Sequence, residues 1–243
     1  MKVLAIFAHP DDETVACGGT FCQLIKDGHE VVVVSVTDGG AGEISSAAEV
    51  AVAKLGSLNA VRRQEFKKVC DHLGVAAQRI LDFQDGEITN KVVWGDLTVA
   101  CIELIDEIKP NIIITFDHSG WYFHLDHVGV SIAVTVAVQQ AAHRPDLYFQ
   151  TFVKASGTKW RYVFNPRPAI THLVDVTAYK EMKAKAYDLH QSQDLNTPRE
   201  WLESRSPYYE WFQLISASDM GKSWLKAQSI FQKVTASKIR QLW

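Results

Sequence analysis

The stretch Val3-Leu4-Ala5-Ile6-Phe7-Ala8-His9-Pro10-Asp11-Asp12-Glu13 decides how this chain is read. An unbroken apolar run ended by a polar turn reads as a strand buried on both faces. Such strands belong to parallel sheets covered by helices, and the residues downstream keep that rhythm. Residues 20–26 have helical spacing and stop at Asp27-Gly28. Residues 30–37 are rich in valine and predict a second strand. The glycine-rich segment 38–42 reads as a loop. Ala60, Val61, Phe66, Val69, Cys70 and Leu73 predict a helix over 59–73, closed by Gly74. A strand over 79–83, a helix over 96–108 ended by Pro110, a strand over 111–116 and a helix over 127–140 follow. The alternation predicts an α/β fold: a Rossmann-like, mostly parallel twisted sheet with helices on both faces, in three α/β/α layers.

The last hundred residues are less regular. Strands are expected over 160–164 and 172–176, a helix over 177–190 capped by Thr177, and an amphipathic helix from Met220. No linker or repeat divides the chain, so residues 1–243 read as a single domain whose part 144–243 completes the sheet. At 243 residues, with 47% hydrophobic and 22% charged residues, the chain fits neither disorder nor a coiled coil. It is long enough to bury a core without a structural metal, so a metal would serve chemistry. Twenty-five basic residues against 28 acidic ones leave a net charge of −3, which gives no reason to expect nucleic acid or a membrane surface as partner. The apolar runs are too short to span a bilayer, and the polar cluster at His9 comes too early for a signal peptide. Cys17, Cys22, Cys70 and Cys101 form no C-x-x-C pair, which suits a reducing, cytoplasmic setting. Trp224 and Trp243 are candidates for a homo-oligomer interface.

In an open α/β sheet, sites form beyond the carboxyl ends of the strands. Polar clusters follow three of the expected strands: His9–Glu13, Asp38–Glu43 and Asp117–His127. The first and third hold the residue types that bind catalytic zinc, which takes three ligands from His, Asp or Glu and keeps one position open. His9, Asp12 and His127 make such a set for one zinc ion. Asp11 remains as a carboxylate able to accept a proton from water that zinc has acidified. Each cluster alone has a plainer reading: acidic residues suit a helix N-terminus, and Asp126 could be an ordinary N-cap. Together, at two strand ends, they favour a metal site.

Ala8-His9-Pro10-Asp11-Asp12-Glu13 with the later His124-Leu125-Asp126-His127 resembles the LmbE/PIG-L zinc-dependent deacetylases. Weaker matches run through Thr37-Asp38-Gly39, Gly42-Glu43, Arg62-Arg63-Gln64-Glu65, Asp85-Gly86-Glu87, Thr115-Phe116-Asp117, Asp175-Val176-Thr177, His190-Gln191-Ser192-Gln193 and Glu210-Trp211-Phe212. The resemblance implies removal of an acetyl group from an N-acetylglucosamine-type sugar or related amide. It implies zinc ligands at His9, Asp12 and His127 and a general base at Asp11. It places His124 and Tyr122 at the oxyanion or the leaving amine, Asp126 behind a ligand, and Arg62 on the sugar. Leu125 stands where the family usually has proline.

The loop holding Asp38 and Glu43 reads as lining the substrate; it is no phosphate-binding fingerprint. His118 is a further candidate for substrate contact. His29, His72, His143 and His172 read as surface or core residues, as does His190 apart from the resemblance, and no serine sits in a nucleophile elbow. Two other functions stay open. A binuclear metallohydrolase is one, although Tyr122 occupies the first position of its His-x-His-x-Asp-His pattern. A sugar- or nucleotide-binding module without chemistry is the other.

Overall fold

The computed structural model describes residues 1–46, 48–152, 170–216 and 232–233. The strands are β1 (Lys2–Phe7), β2 (Glu30–Thr37), β3 (Ala77–Phe83), β4 (Ile112–Phe116), β5 (Asp146–Thr151), β6 (His172–Asp175), β7 (Tyr209–Ser216) and β8 (Gln232–Lys233). The helices are α1 (Asp12–Lys26), α2 (Glu49–Leu55), α3 (Leu58–Leu73), α4 (Lys91–Ile108), the single turn α5 (Gly120–Phe123), α6 (Leu125–Gln140), α7 (Lys180–Leu189) and α8 (Asn196–Ser204).

One sheet joins the strands in the order β3-β2-β1-β4-β5-β7-β6-β8. β1 lies inside it, parallel to both neighbours, with Val3 opposite Val31 on one side and Ile112 on the other. This explains the unbroken apolar run: Val3 to Phe7 are at most 1% exposed because helices cover both faces. Right-handed crossovers running in opposite directions fall on opposite faces. The chain goes outward from β1 to β2 to β3 through α1 and α3, then returns through α4 and α6 to β4 and β5. Accordingly α1, α3 and α7 pack together, and α4 packs on α6. Between β1 and β4 the chain leaves in opposite directions, which opens a crevice at their carboxyl ends.

The sheet is mixed rather than strictly Rossmann-like. β3, β2, β1, β4 and β5 are parallel, but β7, β6 and β8 are antiparallel to their neighbours. α1 starts at Asp12, eight residues before the expected helix, because its first half is buried almost all round and shows no amphipathic stripe. α6 likewise starts at Leu125 rather than 127, and α4 at Lys91 rather than 96. Strands β5 and β7 and helices α2 and α8 were not foreseen; β5 is buried throughout yet carries Asp146 and Gln150, which mask its strand character. Thr177 is not a helix cap. Its Oγ1 donates to Asp175 and accepts from the Tyr208 N–H, in a 3₁₀ turn preceding α7. The expected strand over 160–164, Trp224 and Trp243 lie outside the described residues; of the helix expected from Met220, only 232–233 are described, and they form strand β8 instead. Among the described residues no helix is long and apolar enough to cross a membrane.

Candidate active site

The loop after β1 and the start of α6 bring His9, Asp12 and His127 together across the crevice. Asp12 Oδ2 lies 3.3 Å from His9 Nδ1, Asp12 Oδ1 lies 3.2 Å from His127 Nε2, and those two ring nitrogens are 3.3 Å apart. Ligand atoms about 2.0–2.2 Å from a tetrahedral ion stand roughly 3.3–3.6 Å from one another; the two ring nitrogens keep that spacing and Asp12 meets each with a different oxygen, so the three residues make a triangle of donors suited to one divalent cation. His124 flanks it: His9, His124 and His127 offer nitrogens within 4.8 Å of one another. Burial disfavours charge on Asp12, but His127 and His9 outweigh it and hold the carboxyl well below its usual range.

His9 is fixed from behind. Its Nε2 faces Asp85 Oδ1 at 3.0 Å and Asp126 Oδ2 at 3.3 Å, which leaves Nδ1 turned to the triangle. Asp126 is buried in the first turn of α6 and accepts from the N–H groups of Gly86 (2.7 Å) and Ile88 (3.2 Å); it is not the N-cap, which is His124. Asp85 accepts from the Ala41 N–H. Burial opposes a proton on His9, yet Asp12, Asp126 and Asp85 raise its pKa well above the ordinary value. Three carboxylates around one imidazole call for positive charge here, which a proton or a divalent cation supplies.

Asp11 caps α1 with φ 122°, a left-handed value that costs a non-glycine residue about 1–3 kcal/mol. Its carboxylate makes no cap bond and turns away from the helix. Instead Glu13 Oε2 accepts the Asp11 N–H at 2.9 Å, and the Glu13 carboxylate is held by His190 Nε2 at 2.9 Å and Thr14 Oγ1 at 2.6 Å. Arg62, on α3 and 4% exposed, donates to Asp11 Oδ2 (3.1 Å), Pro10 O (2.5 Å) and Gly39 O (2.9 Å). Gly39 is required: its φ is +71°, and a Cβ would lie 2.4 Å from the guanidinium carbon. Burial pushes the Asp11 carboxyl up; Arg62 opposes it, Asp12 adds to it, and the result is about 6.

His124 and Tyr122 come from an irregular turn in which Gly120, Trp121 and Phe123 all have positive φ. A Cβ on Gly120 would come within 3.0 Å of the His127 Cβ, so the turn can pass this close only as glycine. The His124 ring stacks on His127 with centroids 4.5 Å apart, and among the described residues its Nδ1 has no hydrogen-bond partner. Burial, then the positive charge of His127 and His9, lowers its pKa to about 4, so this imidazole is neutral at ordinary pH. The half-exposed Tyr122 ring lies 5.9 Å from His124.

These groups surround a cavity of about 270 Å³ lined by His9, Asp11, Asp12, Ala41, Gly42, Arg62, Asp85, Gly86, Tyr122, His124, His127 and Gln193. Neither Asp38 nor Glu43 lines it. Asp38 pairs with Arg63 at 3.0 Å, Glu43 is exposed, and their loop presents Ala41 and Gly42 instead. His118 is bonded to Ser131 and packs on Phe149, away from the lining residues. The sequence reading assigned no role to Asp85, Gln193 or Glu13, and it read His190 as a surface residue. The available signals were the Asp-Gly turn at 85–86, the acid closing the first motif and the weak match at His190-Gln191-Ser192-Gln193.

A mixed α/β sheet with an acid–imidazole cluster at its switch point is the setting of a metal-binding or acid–base site. A family model described as "PIG-L: GlcNAc-PI de-N-acetylase" matches residues 4–138, and the chain belongs to that family. Membership of that family makes it a hydrolytic N-deacetylase. It is 28% identical over 241 residues to the 1D-myo-inositol 2-acetamido-2-deoxy-alpha-D-glucopyranoside deacetylase of Rhodococcus jostii, covering 79% of this chain and 81% of that protein. The fold matches N,N'-diacetylchitobiose deacetylase from Pyrococcus horikoshii at 21% identity, TM-score 0.64, covering 88% of this chain and 83% of that one. It equally matches GalB, the 4-carboxy-2-hydroxymuconate hydratase of Pseudomonas putida KT2440, at 16% identity, TM-score 0.66, covering 89% and 97%. The fold alone therefore carries more than one chemistry.

Proposed function

We propose that this chain, acting as one domain over residues 1–243, is a cytoplasmic zinc-dependent hydrolase. It would cleave the acetamide of a glucosaminide whose sugar is linked to a polar alcohol, giving acetate and a free amine. The donor triangle of His9, Asp12 and His127, with Asp11 beside it, carries this reading. The Rhodococcus jostii relative supports the choice of substrate, and four buried free thiols suit the compartment. A single ion fits better than two, because Asp85 and Asp126 face the opposite nitrogen of His9 and their oxygens also accept backbone N–H groups.

When bound, the ion supplies Lewis acidity, polarising an amide carbonyl and lowering the pKa of water. Asp11 takes the proton of the attacking water and delivers it to the departing nitrogen. Arg62 holds the Asp11 carboxylate and borders the substrate space. His124, neutral, donates an N–H hydrogen bond to the oxygen that gains charge, with the Tyr122 hydroxyl as a second donor. Asp126 and Asp85 keep the His9 ring oriented.

The test is amine release from the N-acetylglucosaminyl inositol, N-acetylglucosamine and N,N'-diacetylchitobiose, before and after chelation and with zinc added back. Release from at least one, abolished by chelation and restored by zinc, is expected. Full activity in metal-free protein, or release from none of the three, would overturn the proposal.

A further inference from the structure

Glu13 and His190 form a buried pair that no step above uses. Glu13 is 1% exposed and His190 2%, and they meet at 2.9 Å although 177 positions separate them. An N-cap aspartate ordinarily turns its carboxylate back onto the helix N–H groups. Asp11 does not; its φ of 122° aims the carboxylate at Arg62 and the cavity. Such a conformation persists only where surrounding contacts over-determine it. Arg62 secures one side through Pro10 O and Asp11 Oδ2, and Glu13 Oε2 secures the other through the Asp11 N–H. Glu13 could swing away, but His190 and Thr14 hold its second oxygen. His190 is itself placed by the end of α7, where Ser192 is tied to Glu65 on α3. We infer that Glu13, clamped by His190, is a positioning residue that fixes the left-handed backbone of Asp11 and so aims the proton-accepting carboxylate. This rests on the proposed role of Asp11 as base.

The experiment compares Glu13→Ala and Glu13→Gln, each in the wild-type and the Asp11→Asn background, on zinc-loaded protein with the best N-acetyl substrate. Amide exchange at Asp11 is followed in the zinc-free protein. Glu13→Gln keeps an oxygen for the Asp11 N–H and should retain that amide's protection and most of the turnover. Glu13→Ala should keep zinc and KM, lose protection of the Asp11 amide, and lower kcat by about 10²-fold, as misplacement of a reacting group by about 1 Å does. In the Asp11→Asn background the same change should cost little further, because the group being aimed is gone. If Glu13→Ala fails to fold, Glu13→Ala/His190→Leu takes its place, removing the imidazole with its partner. The inference falls if the alanine variant keeps both kcat and amide protection, if it costs as much without Asp11 as with it, or if Glu13→Gln loses as much turnover as Asp11→Asn. Failure of the underlying reading shows separately, as wild-type turnover in Asp11→Asn alone.

Discussion

Asp11 and Asp12 are neighbours of identical chemistry, and backbone geometry separates their surroundings. Asp12 is the first residue of α1 and faces two imidazoles; Asp11 precedes the helix in a left-handed conformation and faces an arginine. Asp12→Ala should therefore lower zinc content, whereas Asp11→Asn should keep zinc and lose about 10²–10⁴-fold in kcat. Metal analysis and steady-state kinetics check this, and the reverse pattern would exchange the two roles. Arg62 allows a second test with a defined sign. Its charge opposes the upward push of burial on Asp11, whose carboxyl stands at about 6. In the proposed role Asp11 works ionised, so removing the cation must move the acidic limb of kcat/KM to higher pH. Arg62→Ala should show that displacement, and an unmoved limb would mean that Arg62 does not act through Asp11.

At the scale of elements, the site depends on how α1 is anchored. Lys183 of α7 and Glu210 of β7 meet at 2.5 Å with 0% and 2% of their side chains exposed. Lys183 Nζ donates to Val15 O, and Glu210 accepts the N–H groups of Gly19 and Thr20, so the pair is bonded into the middle of α1. Burial disfavours the ammonium, but Glu210 outweighs it and raises the Lys183 pKa, so this contribution persists throughout the neutral range. Lys183→Met leaves a buried carboxylate unpaired and should cost about 3–5 kcal/mol in urea unfolding. Breaking the solvent-exposed Arg79–Glu107 pair should leave the urea midpoint almost unchanged, because water screens it. Equal losses in the two would show that Glu210 finds another partner. α1 also shows why local reading fell short: burial on nearly every side removes the stripe that marks a helix, and the antiparallel partner of β5 is β7, far along the chain.

For the whole molecule, the large core makes the fold independent of the ion, so chelation should abolish turnover and leave the unfolding transition cooperative. Stability of the metal-free protein should nevertheless depend on pH. The pKa values of His9 and His190 are raised, so their contribution is complete below about pH 6.5 and is lost as pH climbs through the folded values. Glu13 is lowered, so its share is present above about pH 4.5 and is lost on acidification. The urea midpoint without metal should therefore be higher at pH 6 than at pH 8.5. Zinc should narrow the difference, because a cation replaces the proton among the carboxylates at His9; a midpoint that rises with pH in the metal-free protein would contradict this. The sequence by itself determined β1, β2 and β4, since strands buried on both faces must be continuously apolar, whereas the polar Asp146 and Gln150 hid the parallel β5. It also singled out His9, Asp11, Asp12, Tyr122, His124, Asp126 and His127 as candidates, since these residue types stand at strand ends, where open sheets bind. Only the tertiary structure decided that Asp85 completes the ring around His9, that His190 is buried against Glu13, that Asp38 and Glu43 face away, and that the last strands run antiparallel. Those outcomes rest on contacts between residues distant in the chain, which neither periodicity nor motif spacing encodes.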